Sequence, residues 1–470
     1  MHESATPIRR NARDRAVKAL VRSYEGEAFC HDLLAEMQAA DPLSPADAAL
    51  AAELAIGVSR HRLTCEHIAA QFYRGRWAGL RVSVRMILGL GVYQLCWLDR
   101  IPDHAIVDQA VRQARRQGRG AAATVNAVLR KVALSVGEAI DRFGDSDPRR
   151  TLPIDETRVR LFDRNIFPDP RRKPLDILIA TTSHPPWLVE RWHRRYKPAL
   201  CRRVCEAGIR RPALVLRPNT TRITAEQLRD RLIAAGHPAD LTDDSHSVIL
   251  QGGATASGMS EIHDGLCQPQ DSTAGRVLRL APPRAGERVL DFCAGVGTKS
   301  TQAAEMMNNT GVVIATDANA DKLQFVSAAA ERLGLTIVRP VPMDRLSTAL
   351  AEAGGPPDVI LLDVPCLNTG VLARRPEARY RAGAKSLKSI VEIQRGILHR
   401  IRTMAGDRTR IIYSTCSLEP EENEKQIEAF CEAFSEWTVS KQELTLPDKH
   451  HDGGFSAVLV RQENREPQGR

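Results

Sequence analysis

The stretch Val289-Leu290-Asp291-Phe292-Cys293-Ala294-Gly295-Val296-Gly297-Thr298-Lys299-Ser300 decides the fold. A short apolar run ends in an acidic residue, crosses a turn of small residues and enters a helical stretch near 299–307. Small residues let a ligand approach backbone amides, and the helix N-terminus that follows favours electron-rich groups. Downstream, apolar runs at Val312–Thr316, Val359–Leu362 and Ile411–Tyr413 alternate with helical stretches near 320–333, 385–404 and 421–433. This alternation over 285–470 predicts a doubly wound, mostly parallel α/β sheet with ligands at the carboxyl ends of its strands. Trp437–Ser440 and Phe455–Arg461 are expected to add an antiparallel edge hairpin.

Upstream the period is helical. Ala16, Val17, Leu20, Val21 and Tyr24 share one face, Val84, Ile87, Leu88, Val92 and Leu95 a second, and Ile106, Val107, Ala110, Val111 and Ala114 a third, after Pro102. An all-helical domain is expected over 1–140. Residues 141–182, rich in Asp, Arg and Pro, are expected to be a linker or irregular extension. Over 183–284, Ala213–Leu216 and Val248–Gln251 predict strands around a helix from Ala225 to Ala235, a small α/β element expected to bind RNA.

A chain of 470 residues with 43% hydrophobic and 26% charged residues is globular and long enough for two or three cores. Its net charge of +9 favours a polyanionic partner. Arg112, Arg115, Arg116 and Arg119, beside Gly118 and Gly120, are the candidate phosphate contacts, although a basic helix end also complements the helix dipole. No apolar run is long enough for a bilayer, because Arg81 and Arg85 flank the best window and Asp99 and Arg100 follow it. The N-terminus lacks a signal core, so a cytoplasmic monomer without a membrane partner is expected. Ten scattered cysteines, without CxxC pairs or Cys/His clusters, predict reduced thiols and no metal.

Three ligands compete for the loop at 293–299. A phosphate-binding P-loop needs Gly immediately before Lys299 and another five residues earlier, where Thr298 and Cys293 stand. A nicotinamide site wants a third Gly at Ser300 and is matched only in part. Asp317, ending the second strand, suits the ribose of either NAD or S-adenosylmethionine, and Asp344 is a candidate to flank the adenine. Two further strand ends, Leu362-Asp363-Val-Pro-Cys366 and Tyr413-Ser-Thr-Cys416, bring an Asp and two cysteines to one place. A lone Cys is usually a small buried hydrophobe, but two at neighbouring strand ends favour nucleophilic chemistry. Lys299, across the sheet top, and a helix start beyond Pro420 could each stabilise a thiolate.

Asp363-Val-Pro-Cys366, Thr369-Gly-Val-Leu372, Arg374-Arg-Pro-Glu377 and Tyr413-Ser-Thr-Cys416-Ser-Leu-Glu-Pro-Glu-Glu-Asn423 resemble the two signature motifs of the Sun family of RNA cytosine-5 methyltransferases. The likeness covers most of 185–461, including Ser183-His-Pro-Pro-Trp187, Pro269-Gln-Asp-Ser272 and Asp452-Gly-Gly-Phe455. It implies a Rossmann-like class I methyltransferase domain that takes S-adenosyl-L-methionine. The helical N-terminus resembles the NusB-like domain of bacterial members that act on 16S rRNA, which implies that substrate. By position, the resemblance makes Cys416 the nucleophile, Cys366 the cysteine of adduct release, Asp363 the carboxylate at the cytosine edge and Lys299 a site lysine. It places the cofactor against Cys293, Ala294, Gly295, Val296, Gly297, Thr298, Lys299, Asp317, Asp344 and Asp363. The usual Cys-Ala-Ala-Pro-Gly-Gly-Lys loop is altered here at Gly295, Val296 and Thr298, and Leu367 and Asn368 replace the usual Ser and Gly. A β-branched residue at 298 predicts strain wherever that position takes positive φ. A non-catalytic or cofactor-impaired rRNA-binding or assembly factor on the same fold is the alternative. Two thiols, Asp363 and Lys299 at one site disfavour it.

Overall fold

The computed structural model describes residues 11–141, 146–252, 256 and 258–462. Two compact units divide them: residues 11–210 with 375–380, and residues 211–374 with 381–462.

The first unit begins with six helices: α1 (Ala12–Tyr24), α2 (Cys30–Ala40), α3 (Pro45–Phe72), α4 (Val82–Trp97), α5 (Asp103–Arg115) and α6 (Ala121–Ser135). The expected faces are buried, with two qualifications. Tyr24 lies at the surface beneath Arg62 and Arg85, and α4 is enclosed on nearly every side. Residues 146–182, expected to be a linker or irregular extension, hold regular structure in their described part. β1 (Val136–Asp141), β2 (Thr151–Pro153) and β3 (Arg158–Phe162) form an antiparallel sheet in the order β1-β3-β2, and α7 (Pro174–Thr182) follows. Leu152, Phe162, Ile166, Phe167 and Ile177 join the helical core, so this polar-looking stretch buries one apolar face. Helices α8 (Pro186–Arg195) and α9 (Pro198–Gly208) follow, and this first run of the unit extends to Arg210.

A kink in α3 at His61 (φ −114°, ψ 20°) has an identifiable cause. Two hydroxyls insert at the Leu63 amide and the Ser59 carbonyl, the groups that an undistorted helix would pair. Leu63 N–H donates to Ser183 Oγ (2.8 Å), Tyr380 O–H donates to the Ser59 carbonyl (2.9 Å), and the two hydroxyls lie 2.9 Å apart. Ser183 belongs to the Ser-His-Pro-Pro-Trp stretch, and Tyr380 lies just beyond the Arg374-Arg-Pro-Glu377 stretch. Glu377 accepts from the Cys30 amide at the start of α2, whose N-cap has no side chain of its own to do so. Buried Arg379 donates to the carbonyls of Pro376, Thr182 and Gly208.

The second unit holds two sheets. The smaller contains β4 (Leu214–Pro218), β5 (Ala239–Leu241), β6 (Val248–Leu250) and β7 (Cys267–Pro269) in the order β5-β6-β4-β7, with α10 (Ala225–Ala234) packed on it. The expected pair of strands is thus part of a four-stranded antiparallel sheet. After α11 (Ser260–His263) and α12 (Ser272–Arg279) the chain enters the larger sheet, following the predicted alternation: β8 (Arg288–Asp291), α13 (Thr298–Met306), β9 (Val312–Ala315), α14 (Leu323–Leu333), β10 (Val338–Pro340), α15 (Leu346–Glu352), β11 (Val359–Asp363), α16 (Ala378–Arg381), α17 (Ala384–Arg402), β12 (Arg410–Thr415), α18 (Glu424–Ala433), β13 (Trp437–Thr445) and β14 (Gly454–Arg461). The order is β10-β9-β8-β11-β12-β14-β13, parallel from β10 to β12, with β14 antiparallel to both neighbours. Strand order reverses between β8 and β11, which opens a crevice at their carboxyl ends. Apolar clusters lie on both faces of the sheet.

The two sheets are joined through a buried ion pair. Arg217 of β4 makes two bonds to Glu305 of α13 (2.9 and 2.8 Å) and also donates to the Thr298 carbonyl (2.9 Å), in the first turn of that helix.

Candidate active site

At the end of β8 the chain turns through Gly295 (φ 57°) and Gly297 (φ 83°), the latter capping α13. A Cβ at Gly297 would lie 3.0 Å from Val326, whereas the space before Gly295 is open. Positive φ falls on these two glycines and not on Thr298, which is the first residue of α13. The β-branched residue there is consequently unstrained. Val296 is about half exposed.

Asp317 closes this loop. Its carboxylate accepts from the amides of Gly295 and Asn319 (2.9 Å each) and lies 3.4 Å from Lys322. Asp291 is buried; one oxygen accepts from Ser300 (2.6 Å), and the other has no partner among the described residues. Burial pushes its carboxyl up to about 7; Ser300 and Lys299 oppose the shift, whereas Asp363 and Asp317 reinforce it. Burial, with the same carboxylates, raises the Cys293 thiol. Asp344 is exposed in a single 3-10 turn after β10.

β11 and β12 pair in register, Asp363 opposite Ser414, so both strands deliver side chains to one level. Asp363 accepts from Lys299 Nζ (2.6 Å) and Ser414 Oγ (2.8 Å). Burial works against the Lys299 charge, but Asp363, Cys416 and Asp291 outweigh it and raise the Lys299 pKa. The two sulfurs stand 3.7 Å apart, with Cys366 Sγ donating to Cys416 Sγ. That bond, then burial and the charges of Cys416 and Glu422, hold the Cys366 proton well above the usual thiol range. Cys416 Sγ is also 3.8 Å from Asn368 Oδ1. Asn368 takes φ 60°, which explains why a Gly is usual at this point: Asn is among the few side chains that tolerate the left-handed region.

Cys416, Lys299, Asp363 and Ser414 line one small cavity of about 70 Å³, which Thr273, Asp271 and Asp452 also line. Here the structure gathers three stretches that sequence reasoning left without a role. Arg374 bonds Asp452 (2.6 Å) and Asp271 (3.1 Å), both nearly buried. Burial and the neighbouring Asp271 push Asp452 up to about 7 despite Arg374. The four arginines proposed for RNA are exposed on the first unit. Arg112 pairs with Asp108 (2.9 Å) and Arg116 with Asp14 (2.8 Å), whereas Arg115 and Arg119 have no carboxylate partner among the described residues.

Among the described residues no group of His, Cys, Asp and Glu is arranged to hold a metal, and no helix is long and apolar enough to cross a membrane.

Residues 277–466 match the family 16S rRNA methyltransferase RsmB/F, residues 10–134 the NusB family, and residues 184–255 the ferredoxin-like domain of RsmF/B-like methyltransferases. A Bacillus subtilis (strain 168) protein described as "Probable ribosomal RNA small subunit methyltransferase B" is 30% identical over 444 residues, 93% of this chain and 92% of its own. The crystal structure of PH0851 aligns with 98% of this chain and 100% of its own at a TM-score of 0.73 and 19% identity. That of NSun6 from Pyrococcus horikoshii with SFG aligns with 60% and 99% at a TM-score of 0.53 and 19% identity. At such identities the structures speak for a shared fold.

Proposed function

Because this chain belongs to the 16S rRNA methyltransferase RsmB/F family, we propose that it methylates C5 of a cytosine in 16S rRNA through a covalent adduct between Cys416 and C6. The observation that carries this reading is the convergence of Cys416, Lys299 and Asp363 at one cavity, with the Cys366 sulfur 3.7 Å behind that of Cys416. Cytosine C5 is a poor nucleophile until a thiolate adds to C6. The Cys416 sulfur forms a bond to C6, and the C5–C6 π electrons move to C5. Asp363, held by Lys299 and Ser414, faces the N3 and amino edge of the base and orients it. After methylation, C5 gives its proton to a water molecule, the C5–H electron pair restores the 5,6 double bond, and the C6–S bond breaks with its electron pair returning to Cys416. Cys366, whose thiol keeps its proton beside Cys416, assists this release.

The chain is suited to S-adenosylmethionine, which supplies an electrophilic methyl group when bound. The open face of Gly295, the unpartnered buried oxygen of Asp291 and the acidic end of β9 at Asp317 suit a nucleoside with an amino-acid tail. Residues 293–299 would hold it with Asp317, Asp344 and Asp363. The relative solved with SFG, an analogue of that cofactor, agrees with this assignment. A nicotinamide cofactor leaves the two cysteines unexplained.

Arg115 and Arg119, with the helical domain that carries them, are proposed to meet rRNA phosphates. Bisulfite mapping of 16S rRNA from cells with and without the gene tests the activity: one cytosine should lose its protection in the deletion strain. An unchanged map would refute the assignment. Calorimetry should show S-adenosylmethionine binding that Asp317→Ala weakens by about 1–3 kcal/mol, with NAD unable to compete.

A further inference from the structure

Glu422 lies in the second signature stretch, is fully buried and has no part in the chemistry above. Its carboxylate reaches both cysteine loops. One oxygen accepts from the Leu367 amide (2.9 Å), the residue after Cys366, and from Gln394 Nε2 (3.1 Å). The other accepts from the hydroxyl of Ser417, the residue after Cys416. Gln394, on α17, also donates to the carbonyl of Pro365 (2.9 Å), the residue before Cys366. A single acceptor group thus receives donors from the neighbours of both sulfurs. The two loops are also tied by Thr369, whose hydroxyl lies 3.1 Å from Ser417 Oγ and accepts from the Leu418 amide (2.8 Å). The Gly370 amide adds a bond to the Cys416 carbonyl (2.9 Å). These ties fix the far side of the first loop, beyond Asn368; around Cys366 itself, Glu422 and Gln394 act together with Asn368 Nδ2, which donates to the Cys366 carbonyl (2.8 Å).

We infer that Glu422 is a positioning residue, its carboxylate clamping the loops of Cys366 and Cys416 so that both sulfurs meet one base. The inference rests on the cytosine-5 reading above. An ionised carboxylate can accept from all three donors at once. In a protonated one, a hydrogen on the oxygen facing Leu367 and Gln394 meets two donors, and one on the other oxygen reverses the Ser417 bond; either way the charge-assisted ties weaken and the clamp loosens. Burial pushes this group up to about 7, against the bonds from Ser417, Leu367 and Gln394, so it changes charge in the working range. The titratable groups facing it are Glu419, the Cys366 thiol and the Tyr413 hydroxyl, which donates to the Glu422 backbone carbonyl.

The test uses the full chain with 16S rRNA and labelled S-adenosylmethionine. Glu422→Gln should lower kcat by about tenfold or more, since small misplacements of reacting groups are costly, while KM values and the melting temperature stay near wild type. The wild-type fall in kcat below about pH 7 should become shallower in this variant, leaving only what Asp291 and Asp452 contribute in the same range. Two further variants separate the arms. Ser417→Ala should slow adduct formation, and Gln394→Met should slow release, so that a denaturant-resistant RNA complex accumulates. Wild-type kcat and pH profile in Glu422→Gln, or equal effects of the two arm variants on both steps, would overturn the inference while the cytosine-5 reading stands. A wild-type enzyme that makes no 5-methylcytosine would overturn that reading and, with it, the role of Glu422.

Discussion

Replacing Arg374 by Met removes the cation that bridges Asp271 and Asp452 in the cavity wall. Losing one partner of a buried ion pair costs about 3–5 kcal/mol when the remaining charge cannot neutralise itself. Asp452 can, because its carboxyl already lies at about 7 with Arg374 present, and Arg374 is one of the groups holding it down. In the unfolded chain an Asp titrates at about 3.9, so between pH 6 and 8 the folded protein holds a proton that the unfolded chain has released. Stability therefore falls as pH rises, by about 1.4 kcal/mol per unit for each proton held. Wild type, titrating at about 7, should lose about 1.4 kcal/mol from pH 6 to pH 8 through this group. The variant, protonated throughout, should lose about 2.7 kcal/mol over the same range. The destabilisation caused by Arg374→Met should thus grow by about 1.4 kcal/mol between the two pH values. Urea denaturation of both proteins at pH 6 and pH 8 measures this. A penalty independent of pH, or one that shrinks as pH rises, would refute the reasoning.

Other perturbations follow from the same geometry. Tyr380→Phe removes the hydroxyl that satisfies the Ser59 carbonyl at the α3 kink but leaves the ring under Arg62, and should cost about 1–3 kcal/mol in thermal or urea melting. Unchanged stability in that variant would show that the kink does not depend on the inserted hydroxyls. Arg115→Gln combined with Arg119→Gln should flatten the salt dependence of rRNA binding by about 0.7–0.9 per lost phosphate contact. Arg112→Gln and Arg116→Gln should do less, because those side chains already face Asp108 and Asp14. An unchanged slope in the first pair would reduce the cluster to a solvated helix end.

The large sheet was legible because parallel strands covered on both faces read as uninterrupted apolar runs, and each run led to a candidate site residue: Asp291, Asp317 just past Ala315, Asp363 and Cys416. The small sheets were harder. β5 and β7 have three residues each, too few for any period to register, and β1 to β3 lie in a stretch whose Asp, Arg and Pro content masks one buried face. Asp363 and both cysteines were candidates because they stand at or just past strand ends, and Lys299 because it opens the helix after β8. Gln394 could not be named, because it sits mid-helix on α17 and only tertiary packing brings it to Glu422. Asp271, Arg374 and Asp452 are far apart in sequence, and nothing in any one stretch announces a shared ion cluster. The altered loop residues became intelligible only through backbone angles: Thr298 begins a helix, and Asn368 occupies the left-handed position.

The division of labour between the two thiols tests the central claim most directly, by denaturing gel electrophoresis of the protein incubated with 16S rRNA and S-adenosylmethionine. Cys416→Ala should abolish methylation and every covalent protein–RNA species, because no bond to C6 can form. Cys366→Ala should let the adduct form and persist as a denaturant-resistant band, since the sulfur 3.7 Å away that assists release is gone. The substitutions are small, and thermal melting checks that both variants fold. A persistent band in Cys416→Ala and none in Cys366→Ala would reverse the roles, and full activity in both variants would contradict the covalent mechanism.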